Sequence, residues 1–176
     1  TGTEGGAKVR LSENGVIIEL AANSEINLVL PSKDDPTDSV ELVRGKVRVR
    51  VPKVKTGEKE TVKMDKPRFL LRHRKITMGV RGTEFYVNAN EDLDETELVV
   101  FNGEVEFTNE KAAKDRELVT PGTWSGIGGR FGEKIHAPMK LSALGLRYFE
   151  KLSHGTAAYM LQPVPTEKGD ASGSGR

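Results

Sequence analysis

Few side chains in this sequence have the types and spacing that metal binding requires. The histidines His73, His136 and His154 lie far apart in sequence and form no H-x-H pair, so we interpret each as a surface histidine. The acidic run at residues 91–95 lacks the ligand order of a calcium-binding loop, and we interpret it as a solvated loop. The sequence therefore predicts no metal and no other cofactor.

Two further segments could belong to an enzyme, but neither has the neighbouring residues that catalysis needs. Ser125 has no G-x-S-x-G context around it. The glycine-rich segment 126–132, GIGGRFG, has no Lys followed by Ser or Thr and follows no βα pattern. We interpret it as a linker or turn rather than a phosphate-binding loop, and we expect a non-enzymatic protein.

An arginine between two glycines is the third candidate. Arg81 lies between Gly79 and Gly82 in the segment MGVRGTEFYV at residues 78–87. Glycine weakens a strand interior and often marks a bulge or a close backbone approach. Because an isolated arginine lacks catalytic partners, we predict that Arg81 is a structural clamp paired with a carboxylate.

The alternation of apolar residues around Arg81 predicts a β-bulge. The apolar residues of the predicted strand 75–87 change parity at its middle, from Ile76, Met78 and Val80 to Phe85 and Val87. One extra residue at Gly82 would turn both groups toward one core, and glycine tolerates the positive φ that such a bulge needs. We therefore expect the bulge at Gly82.

Length and composition agree with one domain, or with one domain and appendages. The chain has 176 residues, of which 36% are hydrophobic and 30% are charged, enough apolar content for a core. No apolar run approaches the roughly 18 residues that a transmembrane helix needs. The absence of cysteine excludes disulfides. Because the sequence begins at Thr1 without a signal peptide, we expect it to derive from a longer precursor.

The charges are unevenly distributed along the chain. Residues 44–81 contain fourteen Lys and Arg and three acidic residues, whereas residues 84–117 contain eleven acidic and three basic residues. This asymmetry indicates either a polyanion-binding face or two segments that pair with each other. Nucleic acid is not the expected ligand, because base-stacking proteins interleave several exposed aromatic residues with such charge. The candidate basic face consists of Lys46, Arg48, Arg50, Arg72, Arg74 and Lys75.

Two segments resemble each other, which predicts an internal strand repeat. VELVRGKVRVRV at residues 40–51 and ELVVFNGEVEFT at residues 97–108 both place a glycine, Gly45 or Gly103, before alternating charged and apolar residues. Two such copies predict a duplicated, coiled or solenoid-like β architecture. If the copies form neighbouring strands, their charges pair across the solvent face. The predicted pairing joins Lys46, Arg48 and Arg50 to Glu104 and Glu106.

The remaining segments predict more strands, one helix and a tail. Further short strands are expected at residues 16–20, 26–30, 69–71 and 118–124. Apolar residues at helical spacing after Pro138, with Ser142 as a cap, predict a helix with the stripe Leu141, Leu144, Tyr148 and Leu152. We therefore divide the chain into a β domain at 1–132, a helical appendage at 133–162 and a flexible, Pro-, Gly- and Ser-rich tail at 163–176.

The motifs quoted above resemble the FecR domain. MGVRGTEFYV, followed by ELVVFNGEVEF and LVTPGTW, is similar to that family's V-R-G-T-x-F strand, its later V-x-x-G-x-V-x-V strand and its glycine turn, and the resemblance spans residues 15–124. It implies a mainly β module of the β-sandwich or β-solenoid type, located in the periplasm or at the cell surface. The matching positions, which the resemblance implies to be fold-defining, are Gly79, Val80, Arg81, Gly82, Thr83, Phe85 and Gly103.

The resemblance also implies a class of function. In iron-uptake regulators, such a domain relays the occupancy of an outer-membrane receptor to an anti-sigma segment. We expect a non-enzymatic, extracytoplasmic binding or sensing scaffold that contacts a protein or a cell-envelope polymer. Two alternatives stay open: a binder of nucleic acid or anionic glycan that uses the basic face, and a purely structural spacer.

Overall fold

The structure is a computed structural model of the chain, and it describes residues 1–11, 15–29, 37–53 and 67–153. The predicted helical appendage is described as far as residue 153. His154 and the predicted flexible tail 163–176 lie outside the described residues.

Alternating apolar and polar residues build most of the described chain into strands, as the sequence predicts. The strands are β1 (Ala7–Arg10), β2 (Ile17–Leu20), β3 (Glu25–Val29), β4 (Asp38–Arg50), β5 (Phe69–His73), β6 (Ile76–Val80), β7 (Glu84–Asn90), β8 (Glu95–Asn102), β9 (Val105–Asn109), β10 (Arg116–Val119), β11 (Thr123–Ile127) and β12 (Met139–Lys140). A 3-10 turn at Gly129–Phe131 and the helix α1 at Ala143–Ser153 follow β11 and β12, respectively. The predicted mainly-β class is confirmed.

The strands form one curled sheet. Its main path runs β10-β9-β6-β5-β4-β7-β8-β11-β12, while β2 and β3 also pair with β4, and β1 pairs with β2. All neighbours are antiparallel except β4 and β5, which are parallel. The finer expectation of a sandwich or a solenoid stays a prediction.

Strand β4 joins the two halves of the sheet. Its residues 38–44 pair with β3 and β5, whereas its residues 45–50 pair with β2 and β7. The partners change at Gly45, where φ is 92° and an added Cβ would lie 2.5 Å from Ser24 Oγ. That hydroxyl donates to the carbonyl of Lys46 at 3.0 Å and accepts from its N–H at 2.9 Å. A side chain at position 45 would displace this link.

The core contains the apolar residues that the sequence singled out, but the chain brings them there differently. Ile76, Met78, Val80, Phe85 and Val87 are all buried. The expected single strand with a bulge at Gly82 is wrong, because β6 and β7 are separate strands in different halves of the sheet: β6 pairs with β5 and β9, and β7 with β4 and β8. The parity changes because residues 81–83 cross between the halves.

The predicted stacking of the two repeat copies is also wrong. The first copy runs through Gly45 as one strand, whereas the second divides at Gly103 into β8 and β9. Strand β9 pairs with β6 and β10 and never with β4, so the acidic residues of β9 do not face the basic residues of β4. Glu106 instead lies 3.7 Å from Arg116 on β10.

Helix α1 forms where the sequence predicts it, but of the expected stripe only Leu141 and Leu152 pack on the sheet. Ser142 caps it, since its Oγ accepts a hydrogen bond from the N–H of Gly145 at 3.1 Å. The expected stripe residues Leu144 and Tyr148 are 78% and 56% exposed. The stripe that packs on the sheet is Leu141, Leu146, Phe149 and Leu152. Phe149 faces the sheet because an aromatic patch of the sheet lies under it. The sequence of the helix alone does not show where that patch lies.

No helix in the described part of the chain is both long and apolar enough to cross a membrane.

The two faces of α1 predict opposite effects of neighbouring substitutions. Phe149→Ala removes a ring whose centroid lies 5.6 Å from that of Tyr86, and we expect it to lower the free energy of unfolding by about 2 kcal/mol, less than for a fully buried Phe. Tyr148→Ala, at the exposed neighbour, is the matched control and should stay within about 0.5 kcal/mol. Urea unfolding followed by Trp124 fluorescence measures both. Equal losses would contradict the packing described here.

Candidate functional site

The residues that match the FecR pattern come together from two distant segments. An added Cβ on Gly103, whose φ is 75°, would lie 2.8 Å from the carbonyl oxygen of Gly82 and 2.9 Å from Thr83 Oγ1. Thr83 is buried, and its hydroxyl donates to the carbonyl of Glu104 at 3.0 Å. We call residues 82, 83, 103 and 104 the motif junction.

Backbone hydrogen bonds tie the motif junction and its neighbours to two other parts of the sheet. The N–H of Val51, just after β4, donates to the carbonyl of Thr83 at 2.8 Å. The N–H of Arg68, just before β5, donates to the carbonyl of Val80 at 3.0 Å. Four chain segments therefore meet around this crossing between the halves of the sheet.

The other pattern residues surround the motif junction. Val80 and Phe85 are fully buried, and Gly79 lies in β6, where an added Cβ would meet Pro67 at 3.4 Å. Arg81 is half-buried, and its role as a clamp stays a prediction.

The six residues of the candidate basic face lie on β4, on β5 and in the turn after β5, and four of them form ion pairs within the chain. Arg48 and Arg50 both reach Glu84 Oε1 at 2.7 Å. Arg72 lies 3.9 Å from Glu110, and Arg74 pairs with Asp94. The Arg72 and Arg74 pairs are separate from each other, since Arg72 lies on β5 and Arg74 in the turn after it. Lys75 lies in the same turn, and Lys46 lies on β4. The structure thus joins only Arg48 and Arg50 into one cluster.

Glu84 is the residue that organises this cluster, and the sequence interpretation missed it. Burial raises the pKa of Glu84, but hydrogen bonds from Arg50 and Arg48 outweigh burial and hold the pKa below its usual value. Arg48 is buried, with its guanidinium 4.6 Å from the ring centroid of Phe101. The arginines sit on β4 and the glutamate on β7, so only the β4–β7 register, in which Arg50 faces Glu84, reveals the cluster.

Next to this cluster, the sheet carries the aromatic patch under α1. Tyr86, Val99 and Trp124 form it, separate from the main core. Burial raises the pKa of the Tyr86 hydroxyl. The Trp124 ring lies 4.9 Å from that of Phe131, and its Nε1 donates to Glu97 at 3.4 Å. Helix α1 packs on this patch, with the ring of Phe149 against that of Tyr86.

One interpretation made from the sequence needs correction beside the segment 126–132. Glu95 is not part of a solvated loop: it is 1% exposed, and it accepts hydrogen bonds from the backbone N–H, Nε and Nη2 of Arg130 at 2.7, 2.8 and 2.9 Å. The side-chain hydrogen bonds from Arg130 lower the pKa of Glu95. The glycine-rich segment itself is the end of β11 and a 3-10 turn, consistent with a turn rather than a loose linker.

His73 is the other correction, because it is buried rather than on the surface. Its Nδ1 and Thr96 Oγ1 are 2.7 Å apart, a hydrogen bond between β5 and β8 in opposite halves of the sheet. Its Nε2 is buried and has no hydrogen-bond partner. Burial lowers the pKa of His73 from 6.5 to about 4, helped by the charge of Arg74. His136 is exposed, as expected.

In the described part of the chain, no group of three His, Cys, Asp or Glu side chains is arranged to hold a metal ion.

Fold and contacts together define a mainly-β module in which several charged side chains form ion pairs between strands. The family model described as FecR protein matches residues 1–106, and the chain belongs to that family. The match begins earlier and ends earlier than the resemblance expected from the sequence.

Solved structures show the same fold in a longer protein. Two crystal structures of a candidate anti-sigma factor from Parabacteroides distasonis ATCC 8503, at 1.65 and 2.50 Å resolution, are similar to this chain with TM-scores of 0.64 and 0.62. In both cases the identity is 19%, and the similarity covers 84% of this chain and 61% of that one. The chain thus spans less than two thirds of that protein. A comparison with curated protein sequences gave no match.

The close approach at the motif junction predicts a large cost for a single methyl group. Gly103→Ala adds a Cβ against the Gly82 carbonyl and strains a positive φ, so we expect a loss of about 3 kcal/mol in the free energy of unfolding. Gly122→Ala is the matched control, since its φ is 77° but no atom lies within 4 Å of the added Cβ. It should cost only about 1 kcal/mol. Similar losses in chemical denaturation would show that contact at the junction is unimportant.

The arginine–glutamate cluster predicts that Glu84 matters more than a surface carboxylate. Glu84→Gln leaves the buried Arg48 without its partner charge on β7, and we expect a loss of about 2 kcal/mol. Glu106→Gln removes the exposed pair with Arg116 and should change stability by less than about 0.5 kcal/mol. Both variants are compared by thermal unfolding at pH 7. The account fails if the two melt alike.

Buried His73 predicts acid sensitivity. The unfolded chain binds a proton near pH 6.5 and the folded chain only near pH 4, so the contribution of His73 is fully present above pH 6.5 and is lost as the pH falls toward 4. The loss is about 3 kcal/mol. His73→Gln should flatten this part of the stability profile, and NMR titration of the ring gives the folded pKa directly. A measured pKa near 6.5 would contradict the buried, neutral state.

Proposed function

We propose that this chain is a non-enzymatic binding or sensing module of the FecR type that acts outside the cytoplasm and contacts a protein partner. The observation that carries the proposal is the match of the FecR model to residues 1–106. The fold that the chain shares with a candidate anti-sigma factor supports a place in signalling. The proposed location in the periplasm or at the cell surface rests on the family.

The pattern residues have structural roles in this proposal. The motif junction lies where the chain crosses between the halves of the sheet, and a Cβ added to Gly82 or Gly103 would lie within 3 Å of an atom of another residue. Such positions leave no room for a ligand between the segments. The partner therefore binds elsewhere on the sheet, and the FecR pattern preserves the frame that presents the binding surface.

Charge pairing favours a protein over a polyanion as the partner. A polyanion site needs several cationic groups free to meet phosphate or sulfate. Here Arg48, Arg50, Arg72 and Arg74 all lie within ion-pair distance of a carboxylate of the same chain. A polyanion would have to displace those carboxylates before binding.

Retention experiments at two salt concentrations test the proposal. The immobilised chain is exposed to solubilised envelope proteins, to purified cell wall and to heparin as a polyanion. We expect one envelope protein to be retained at both low and high salt, because apolar and backbone contacts are insensitive to screening. The double variant Arg72→Gln/Lys75→Gln, which removes charge from the candidate basic face, should retain it equally.

The other outcomes contradict the proposal in different ways. Retention of heparin or cell wall only at low salt, abolished in the double variant, would assign the function to the basic face. Retention of nothing at either salt concentration would favour the structural spacer.

A further inference from the structure

Four strands have a neighbour on one side only among the described residues, namely β1, β3, β10 and β12. Exposed strand edges present unpaired N–H and C=O groups, and native proteins protect them with charge or by keeping the strand short. Strand β12 has two residues, β1 carries Lys8 and Arg10, and β10 carries Arg116 and Glu117. These three edges are protected.

Strand β3 is different. Its one charged residue, Glu25, is its first residue. Its register shift also lies at the beginning of the strand, between Glu25 and Ile26. Its last three residues, Asn27, Leu28 and Val29, carry no charge, and Leu28 and Val29 are 52% and 44% exposed. Among the described residues, the C-terminal part of β3 is therefore an apolar edge without a protecting charge or bulge.

Leu28 points to the core side of the sheet, and no described residue forms a strand beside it on the outer side of β3. It lies directly opposite Val40 of β4, as Ile26 lies opposite Leu42, and directly opposite residues share a face. Val40 and Leu42 are fully buried, and Ile26 packs against the main core. A strand added beyond β3 would place an apolar side chain beside Leu28 and extend the core by one position.

The outer face of the same edge carries the carboxylate of Glu41, which Arg72 neighbours on β5. Asn27 lies opposite Glu41, and its Nδ2 donates to Glu41 Oε2 at 3.0 Å. Glu41 is exposed, and none of the ion pairs of the described residues includes it. A Lys or Arg opposite Asn27 on an added strand has the length to reach the Glu41 carboxylate.

We propose that the free edge of β3 binds an extended strand of the partner protein, with apolar side chains toward the core side and a Lys or Arg on the outer side facing Glu41. Main-chain hydrogen bonds supply affinity in this mode of recognition, and the alternating side chains supply specificity. The inference rests on the proposed function, since it names how a protein partner is bound.

The probe is a synthetic peptide, acetyl-TVKVKVT-amide, titrated into the whole chain in isothermal titration calorimetry. We expect Leu28→Lys to weaken its binding by at least about tenfold, since the variant places a charge where the peptide brings an apolar side chain. Glu41→Gln should abolish the preference for this peptide over its counterpart acetyl-TVEVEVT-amide. The matched control is Leu118→Lys, on the charged edge strand β10, which should leave binding unchanged.

Several results would overturn the inference. The first is the absence of binding up to about 1 mM peptide. The second is that Leu28→Lys and Leu118→Lys weaken peptide binding equally. The third is that a peptide N-methylated at alternate amides binds as tightly as the unmethylated peptide. A dimer of the free chain in sedimentation that Leu28→Lys dissociates would assign the edge to a second copy instead. If envelope proteins are retained equally by the wild type and by Leu28→Lys, the proposed function stands and the edge inference fails.

Discussion

The close approach of Gly103 to the Gly82–Thr83 backbone is the contact on which the rest of the sheet depends. At this place the chain crosses from β6 to β7, and the turn from β8 to β9 packs against the crossing. The carbonyls of Val80 and Thr83 accept hydrogen bonds from the residues that enter β5 and leave β4. A side chain at position 103 would separate these segments, so the crossing and the turn can be close only with glycine there.

Electrostatic pairing is the second constraint, and it explains why a strongly basic segment need not be a polyanion site. Arg48 and Arg50 of β4 pair with Glu84 of β7. Arg74, in the turn between β5 and β6, pairs with Asp94 in the turn between β7 and β8. The acidic and basic segments of the sequence therefore pair with each other in part, one of the two explanations that the charge asymmetry suggested. This pairing is one reason why we propose an edge of the sheet, rather than a charged face, as the surface that binds a partner.

The sequence predicted the elements well and their neighbours poorly. Alternation of apolar residues located the strands and the buried residues of β6 and β7, and Ser142 marked the start of α1. The predicted pairing of the two repeat copies was wrong because their glycines act differently: the strand continues through Gly45, whereas a strand ends at Gly103. The residues next to each glycine do not show whether the strand continues or ends there. Burial of His73 and Glu95 escaped notice for the same reason, since their partners come from distant strands.

Native-state hydrogen exchange of the Val51 amide tests the central claim most directly. This N–H donates to the Thr83 carbonyl at the motif junction. If the junction holds the halves of the sheet together, the amide opens only when the whole domain unfolds, and its exchange free energy equals that of global unfolding and falls with it in denaturant. Exchange through a local opening, with a smaller free energy that is independent of denaturant, would show that the sheet persists without the junction.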